Sequence, residues 1–305
     1  MQPFVQHFCI YIARQKDAKG QKRLCSATSF ETSGETIQLS TPSKRRMASL
    51  KSLLKQARAI PPIGRKPQQW HVDKAIKHLA AVDKQWEKVF LSEGLPKQIQ
   101  QRLESGLWDE KSTFHSLLRT IVYQQLAGKA AATIYGRVAD ALGVSTDSII
   151  TPEMVLSGKW EEQSIEGKVK VVLNGKRCGL SRQKSKYIRS LAEHFNDKER
   201  LKGVDLSELS NEELRTRLTA VKGLGKWSVD MFMMFKLGRP DIMAPGDLAI
   251  RKGVAKFKKL PLDSLKKDNK GTQKRVEELT KEWSPYRSIA CQYMYHLMDI
   301  RDTGE

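Results

Sequence analysis

Hydrophobic residues recur at helical spacing along most of the chain after residue 70. Between His71 and Gly94, apolar side chains return every three or four positions, which predicts one amphipathic helix that ends at Gly94. The same periodicity predicts further helices over about 96–103, 112–123, 130–142, 152–156, 181–195, 211–221, 227–237, 248–257 and 285–298. The pattern as a whole predicts an all-α fold.

One segment departs from the helical pattern. Residues 168–177 alternate between apolar and polar side chains, and Asn174-Gly175 is a dipeptide that favours the tight turn of a β-hairpin. We therefore predict a small β-hairpin near residues 165–178. The change of pattern extends over about residues 158–178, and the sequence does not indicate the role of this segment.

The first 68 residues lack hydrophobic periodicity. Ser, Thr, Gly and Lys dominate residues 16–52, and Pro61, Pro62 and Pro67 mark the end of a linker. We expect a basic, disordered tail over residues 1–68 and a globular domain over residues 69–305.

The charge of the chain narrows the class of partner. The 305 residues carry a formal net charge of +20, and the pI is about 9.8. Half of this excess lies in the first 70 residues, and the rest is spread through the globular domain. A chain this basic is expected to bind a polyanion, most often nucleic acid. No apolar run reaches transmembrane length, so no membrane partner is expected. We also expect the protein to be a monomer.

Cysteine spacing and the N-terminal composition bear on metals and localisation. The four cysteines are far apart and form no C-x-x-C pair, so neither a zinc site nor a disulfide framework is indicated. The basic cluster Lys44-Arg45-Arg46 favours the nucleus. The first 15 residues contain one Arg and no acid, which leaves the mitochondrion as the alternative.

Residues 221–226 predict a tight turn between two helices. Gly223 and Gly225 can adopt positive φ and allow another backbone to come close. Backbone N–H groups at the start of the following helix would form an anion site suited to a DNA phosphate, and Lys222 and Lys226 add positive charge. The alternative is an ordinary helix–helix turn with a glycine C-cap.

Asp247 follows Pro245 and Gly246 just before an amphipathic segment. Asp is a favoured N-cap residue, so one interpretation is purely structural. The other is a carboxylate that stabilises positive charge in a reaction.

Residues 124–126 interrupt the helical pattern with two amides and a leucine. The amides of Gln124 and Gln125 can pair with base edges, and Leu126 can act as an apolar wedge that unstacks a base step. The alternative is a polar helix end with one core leucine.

Four segments together resemble a known family. Residues 222–227, the apolar run that follows them and residues 245–250 are similar to the helix-hairpin-helix-GPD family of DNA glycosylases, closest to its alkylation-repair branch of the 3-methyladenine DNA glycosylase II type. Further family signatures are resembled by residues 121–126, 179–192 and 283–290. These segments are distributed over most of residues 70–300, and residues 158–178, where the family has only a short connection, resemble a local insertion.

The resemblance implies a fold and a set of site residues. The fold would consist of two helical subdomains with the active site in the cleft between them, and the hairpin would span about residues 212–237. Asp247 would be the catalytic carboxylate. The positions that match DNA-binding residues of the family are Gln124, Gln125, Leu126, Lys222, Gly223, Leu224, Gly225 and Lys226. The positions that would line the base pocket are Trp227, Met231 and Tyr295.

The resemblance also implies an activity. We expect a monofunctional glycosylase that flips alkylated purines, such as 3-methyladenine and 7-methylguanine, out of double-stranded DNA and hydrolyses them off. Trp227 stands where relatives that also cut the backbone carry a lysine. No metal or iron–sulfur cluster is expected, and a monovalent cation at the hairpin is the one cofactor considered.

Two alternatives differ in class from this expectation. One is a non-catalytic helix-hairpin-helix DNA-binding protein, and the other is a glycosylase for deaminated or oxidised bases. Met231 stands where bacterial relatives place an aromatic residue, and their N-terminal β domain has no visible counterpart. Both departures bear on the range of bases removed.

Overall fold

The computed structural model describes residues 49–60, 62–63, 71–96, 99, 113–165 and 167–299. Within these ranges the chain forms twelve α-helices and one three-stranded sheet, so the predicted mainly helical fold with a small β insertion is confirmed. The helices are α1 (Leu50–Arg58), α2 (Val72–Val82), α3 (Lys84–Glu93), α4 (Thr113–Tyr123), α5 (Gly128–Ala141), α6 (Pro152–Ser157), α7 (Arg182–Asn196), α8 (Asn211–Thr219), α9 (Lys226–Phe235), α10 (Leu248–Phe257), α11 (Lys270–Leu279) and α12 (Arg287–Asp299).

Helix α1 corrects the predicted tail. Residues 50–58 are helical, and Leu53 and Ala57 are buried in the core against α2 and α3. Ordered structure therefore begins by Ser49, whose side chain caps α1, and not after residue 68. Residues 1–48, 61 and 64–68 of the predicted tail lie outside the described residues.

The single helix predicted from His71 to Gly94 is two helices in the structure. Asp83 has an extended backbone between α2 and α3. Its N–H bonds to the carbonyl of Leu79 at the end of α2, and its carboxylate accepts from the N–H of Gln85 at the start of α3. Because both helices bury their apolar faces in one core, the apolar spacing continues across the break. The helix predicted over 96–103 lies almost wholly outside the described residues.

Helix α11 was not predicted. Its sequence is highly charged, and Val276 is its only fully buried residue, so hydrophobic periodicity is weak there. The available signal was Asn269, whose side chain accepts from the N–H of Thr272 as an N-cap.

The β insertion has three strands, β1 (Trp160–Ile165), β2 (Lys168–Leu173) and β3 (Lys176–Arg177). They pair antiparallel in the order β1-β2-β3, with Trp160 opposite Leu173. Asn174 and Gly175 both have positive φ, as the predicted turn requires. The Asn174 amide also donates to the carbonyl of Ala141 at the end of α5, which fixes the sheet to the helical body.

Most of the helices pack in two groups, and one of these groups combines helices from both ends of the described chain. Helices α4 to α7 form one group, α1 to α3 join α10 to α12 in the other, and α8 and α9 pair with each other. Trp86 of α3 is central to the second group, because its ring contacts the rings of Phe257, Trp283 and Tyr293. The two ends of the described chain therefore build one subdomain. No helix in the described ranges has the length and apolarity that a membrane crossing requires.

Candidate active site and DNA-binding surface

Asp247 is the N-cap of α10 and contacts side chains of α9 and α12, and it is completely buried. Its Oδ1 accepts from the N–H groups of Ala249 at 2.9 Å and Ile250 at 3.1 Å, so the carboxylate caps α10. Its Oδ2 accepts from the indole N–H of Trp227 at 2.8 Å and from the hydroxyl of Tyr295 at 3.1 Å. Capping therefore accounts for one oxygen, and the second oxygen is held by aromatic side chains.

The predicted base-pocket residues surround this second oxygen. Trp227 lies in the first turn of α9, Met231 follows it by one helical turn, and Tyr295 comes from α12. The Tyr295 hydroxyl is 3.4 Å from the sulfur of Met231, and the Phe235 ring centroid lies 6.1 Å from that of Tyr295. The structure thus brings together Asp247 and all three predicted pocket residues.

Four neutral groups donate hydrogen bonds to Asp247, namely two backbone amides, one indole and one phenol. Because these donors are uncharged, they fix the orientation of the carboxylate without forming an ion pair with it.

Arg251 supports the loop that carries Asp247, and the sequence-based prediction missed it. Its buried guanidinium donates to the carbonyls of Pro245 at 3.1 Å and Leu265 at 2.9 Å, and to the carboxylate of Asp268 at 3.1 Å. The available signal was an arginine one helical turn after Asp247, on a face that is otherwise apolar.

The predicted hairpin is formed by α8, a turn over residues 220–225, and α9. Gly223 has φ of +96°, and a Cβ atom added there would lie 2.3 Å from ring carbons of Tyr187. Gly225 is the exposed N-cap of α9 and has no side chain to cover the first amides of that helix. The turn therefore presents the start of α9 to solvent, as an anion site requires.

The other predicted hairpin residues differ in what they can offer DNA. Lys222 and Lys226 are exposed, whereas the side chain of Leu224 is buried. The prediction of Leu224 as a DNA-binding residue is therefore limited to its backbone.

A buried ion pair joins the two helices of the hairpin. Arg215 of α8 donates from Nη2 to Oδ1 of Asp230 of α9 at 2.8 Å. Burial raises the pKa of the Asp230 carboxyl, and the Arg215 guanidinium opposes that rise. The pair sets the crossing of α8 and α9 beneath the turn.

Residues 124–126, which we call the wedge loop, lie directly beside the hairpin. The side-chain amide of Gln124 donates to the carbonyl of Gly223 at 3.0 Å. Gln125 is exposed with φ of +57°, and Leu126 packs partly against the core while part of its side chain stays accessible. Gln124 therefore holds the loop to the hairpin, and Gln125 and Leu126 are the residues that can reach outward.

The side chains available for metals or cofactors are few. No group of three or more His, Cys, Asp or Glu residues that could hold a metal occurs in the described part of the chain. At the hairpin, only backbone carbonyls are available to a cation, because its turn residues Val221, Gly223, Leu224 and Gly225 carry no oxygen in their side chains. The cation thus stays a prediction, as does the absence of a cluster. Burial raises the thiol pKa of Cys178 and of Cys291.

Comparisons with known proteins agree with this geometry. A family model described as HhH-GPD superfamily base excision DNA repair protein matches residues 118–285. The DNA-3-methyladenine glycosylase 1 of Schizosaccharomyces pombe is 28% identical over 229 residues, which cover 75% of this chain and 89% of the relative. The alkylbase DNA glycosidase-like protein mag2 of the same organism is 27% identical over 232 residues, covering 76% and 96%.

A solved structure is similar as well. The crystal structure of a DNA-3-methyladenine glycosidase from Bacillus halodurans has a TM-score of 0.51 and 29% identity, covering 73% of this chain and 88% of the other. The segment that the family model matches contains the wedge loop, the hairpin and Asp247.

Proposed function

The chain belongs to the HhH-GPD superfamily of base excision DNA repair proteins, and from this we propose that it is a monofunctional DNA glycosylase that removes alkylated purines from double-stranded DNA. The observation that carries the proposal is the buried Asp247 carboxylate, whose Oδ2 lies between Trp227 and Tyr295. The named relatives support it, since the S. pombe and B. halodurans proteins are named for action on 3-methyladenine.

Removal of a base breaks the C1′–N bond through an oxocarbenium-like sugar. A carboxylate at the face of the sugar stabilises the developing positive charge and can orient the attacking water. The two amides on Oδ1 hold the Asp247 carboxylate in place before substrate arrives. Such preorganisation is the source of electrostatic catalysis, because no reorganisation is needed as charge develops.

The aromatic lining favours a cationic base. An alkylated purine carries positive charge, and the π faces of Trp227 and Tyr295 attract cations. Such a base is also a good leaving group, so strong general-acid assistance is not required. This combination of a fixed carboxylate with electron-rich rings suits 3-methyladenine and 7-methylguanine better than neutral bases.

The absence of lyase chemistry is supported by residue placement. At the position of the lyase lysine this chain has Trp227, whose indole is engaged with Asp247. The neighbouring Lys226 is exposed, and its Nζ lies 4.0 Å from a carboxylate oxygen of Glu277. No Schiff-base nucleophile is therefore assigned to the site.

DNA is the binding partner, and we propose that the substrate is a duplex that contains an alkylated base. The base must leave the stack to reach Asp247, and Leu126 would occupy the space that it leaves. The hairpin would hold a backbone phosphate at the start of α9. We propose a monomeric protein that requires no cofactor, a monovalent cation at the hairpin being the one exception considered. We place it in the nucleus, with the mitochondrion as the alternative.

A second candidate is favoured by one specific observation. Asp247 caps α10 and is fully buried, as a purely structural aspartate would be. In that case the protein would bind DNA through the hairpin without removing bases.

The test is a panel of duplexes, each with one lesion. Base release from 3-methyladenine, 7-methylguanine, hypoxanthine and 8-oxoguanine would be measured in single turnover, beside an undamaged duplex. We expect release of the two alkylated purines, and strand breaks only after alkali treatment. Binding without release of any base would favour the second candidate. Preferred release of hypoxanthine or 8-oxoguanine would overturn the proposed substrate class, and strand breaks without alkali would overturn the monofunctional assignment.

A further inference from the structure

Lys184 holds the end of the helix that leads into the wedge loop. It is a half-buried residue of α7, and its Nζ donates to the carbonyls of Val122 and Gln124, each at 2.6 Å. These carbonyls lie in the last turn of α4 and just beyond it, where the helix leaves its final carbonyls without intrahelical partners. A cation at this end is also favoured by the helix dipole.

The same helix contacts the hairpin one turn later. Tyr187 packs its ring so closely against Gly223 that only glycine fits at that position. The side chain of Gln124 in turn donates to the carbonyl of Gly223. Lys184 and Tyr187 therefore join the wedge loop and the hairpin into one unit, although the two lie about one hundred residues apart in sequence.

The position of Lys184 differs from that of the other basic residues of α7. The side chain of Lys186 is exposed and makes no hydrogen bond or ion pair within the described part of the chain. It is placed to contribute general positive charge to the surface. The ammonium of Lys184, in contrast, donates to one carbonyl in the last turn of α4 and one in the wedge loop. Its charge therefore stabilises the position of this part of the protein.

We propose that Lys184 is a positioning residue for base extrusion. By holding the carbonyls of Val122 and Gln124, it fixes the wedge loop relative to the hairpin that grips the backbone. Leu126 then enters the duplex at a set distance from the bound phosphate. This inference rests on the proposed function, in which Leu126 is the wedge.

The variant Lys184→Met keeps the length of the side chain and removes the donors. It would be compared with Lys186→Met, which removes the same charge from the same helix. Single-turnover excision would be measured on an alkylated purine in a fully paired duplex and on the same lesion opposite a mismatched base. The mismatch lowers the energy needed to unstack the lesion.

We expect Lys184→Met to slow excision from the paired duplex by about tenfold or more, the scale of one lost charge-assisted hydrogen bond. The mismatched duplex should lose much less. Lys186→Met should affect both duplexes equally and only through binding. Equal losses on the two duplexes for Lys184→Met, or the same selective loss for Lys186→Met, would overturn the inference.

A measurement independent of catalysis separates this inference from the proposed function. The fluorescence of 2-aminopurine beside the lesion reports unstacking when protein binds. Lys184→Met should lower that signal at saturating protein even if no base is released, and an unchanged signal would overturn the inference. Thermal melting checks folding. Lys184→Arg, which keeps the charge and the donors, should restore most of the signal, and failure to do so while folded would also count against the role.

Discussion

The indole N–H of Trp227 donates a hydrogen bond of 2.8 Å to Oδ2 of Asp247, twenty residues further along the chain. This contact joins the first turn of α9, the second helix of the hairpin, to the carboxylate at the start of α10. One side chain therefore links the proposed phosphate-binding turn to the carboxylate proposed for catalysis.

Asp247→Asn should lower excision by ~10²-fold or more, the scale observed when a preorganised electrostatic partner is lost. Asn caps a helix about as well as Asp, so α10 should remain capped. The Asn amide would face the indole donor of Trp227, and the resulting unpaired group should reduce the free energy of unfolding by about 1–3 kcal/mol. Single-turnover base release with thermal melting measures both effects.

A remote variant of comparable stability controls for this destabilisation. Leu53→Ala in α1 should destabilise the fold without touching the site. Near wild-type excision by a folded Asp247→Asn protein would show that Asp247 is only a cap.

Tyr295→Phe should reduce excision by about three- to tenfold, because one hydrogen bond to the carboxylate is lost. Single-turnover base release measures the loss. Tyr293→Phe is the matched control, since its hydroxyl donates to the carbonyl of Gly94 and not to Asp247. Equal losses of excision in the two variants would refute a role for the Tyr295 hydroxyl.

The two glycines of the hairpin should respond differently to alanine. Gly223→Ala places a methyl group against the Tyr187 ring at a residue with positive φ, so it should lower both the melting temperature and DNA affinity. Gly225 has φ of −82° and open space around an added Cβ. Gly225→Ala should change stability by about 1 kcal/mol or less and weaken DNA binding through the phosphate contact.

Melting curves and duplex affinity over a range of salt would separate these two effects. A Gly225→Ala protein that binds DNA as tightly as wild type would place the phosphate elsewhere.

Leu126→Ala should slow excision from a fully paired duplex more than from a mismatched one. The wedge offsets an unstacking free energy of a few kcal/mol, and less where pairing is already weak. Single-turnover rates on both duplexes give the ratio. If both rates fall in proportion, Leu126 acts only through its contacts with the core.

Truncation should distinguish the two boundaries of the N-terminal segment. Deletion of residues 1–48 should preserve melting temperature and excision, and weaken DNA binding mainly at low salt, because binding scales with the phosphates neutralised. Deletion of residues 1–63 removes α1 and exposes the core that Leu53 covers. Leu53→Ala alone should destabilise by ~2–5 kcal/mol. Equal melting of the two truncations would mean that α1 contributes nothing to the fold.

Several features of the fold were predictable because they depend on local backbone preferences. Asn174-Gly175 favours a tight turn wherever it occurs, and Ser181 and Asp247 cap helices through amides two or three residues away. Gly223 adopts the positive φ that its residue type permits. Dependence on local patterns also explains why the break between α2 and α3 at Asp83 and the helix α11 were not predicted. A break that leaves the apolar spacing intact, and a helix with one buried residue, produce no clear periodic signal.

The sequence by itself determined the helical class and the hairpin turn, because periodicity and turn residues are local properties of the chain. Its resemblance to a known family indicated a short set of residues fit for base excision. Only the tertiary structure decided that α1 belongs to the core and that Trp227 and Tyr295 donate to the same carboxylate oxygen of Asp247. It also decided that Lys184 binds the wedge loop. The physical reason is that the residues in contact are far apart along the chain. Tyr295 and Asp247 are 48 residues apart, and Lys184 and Gln124 are 60 apart. Contacts over such distances arise from the packing of whole helices, which no local pattern specifies.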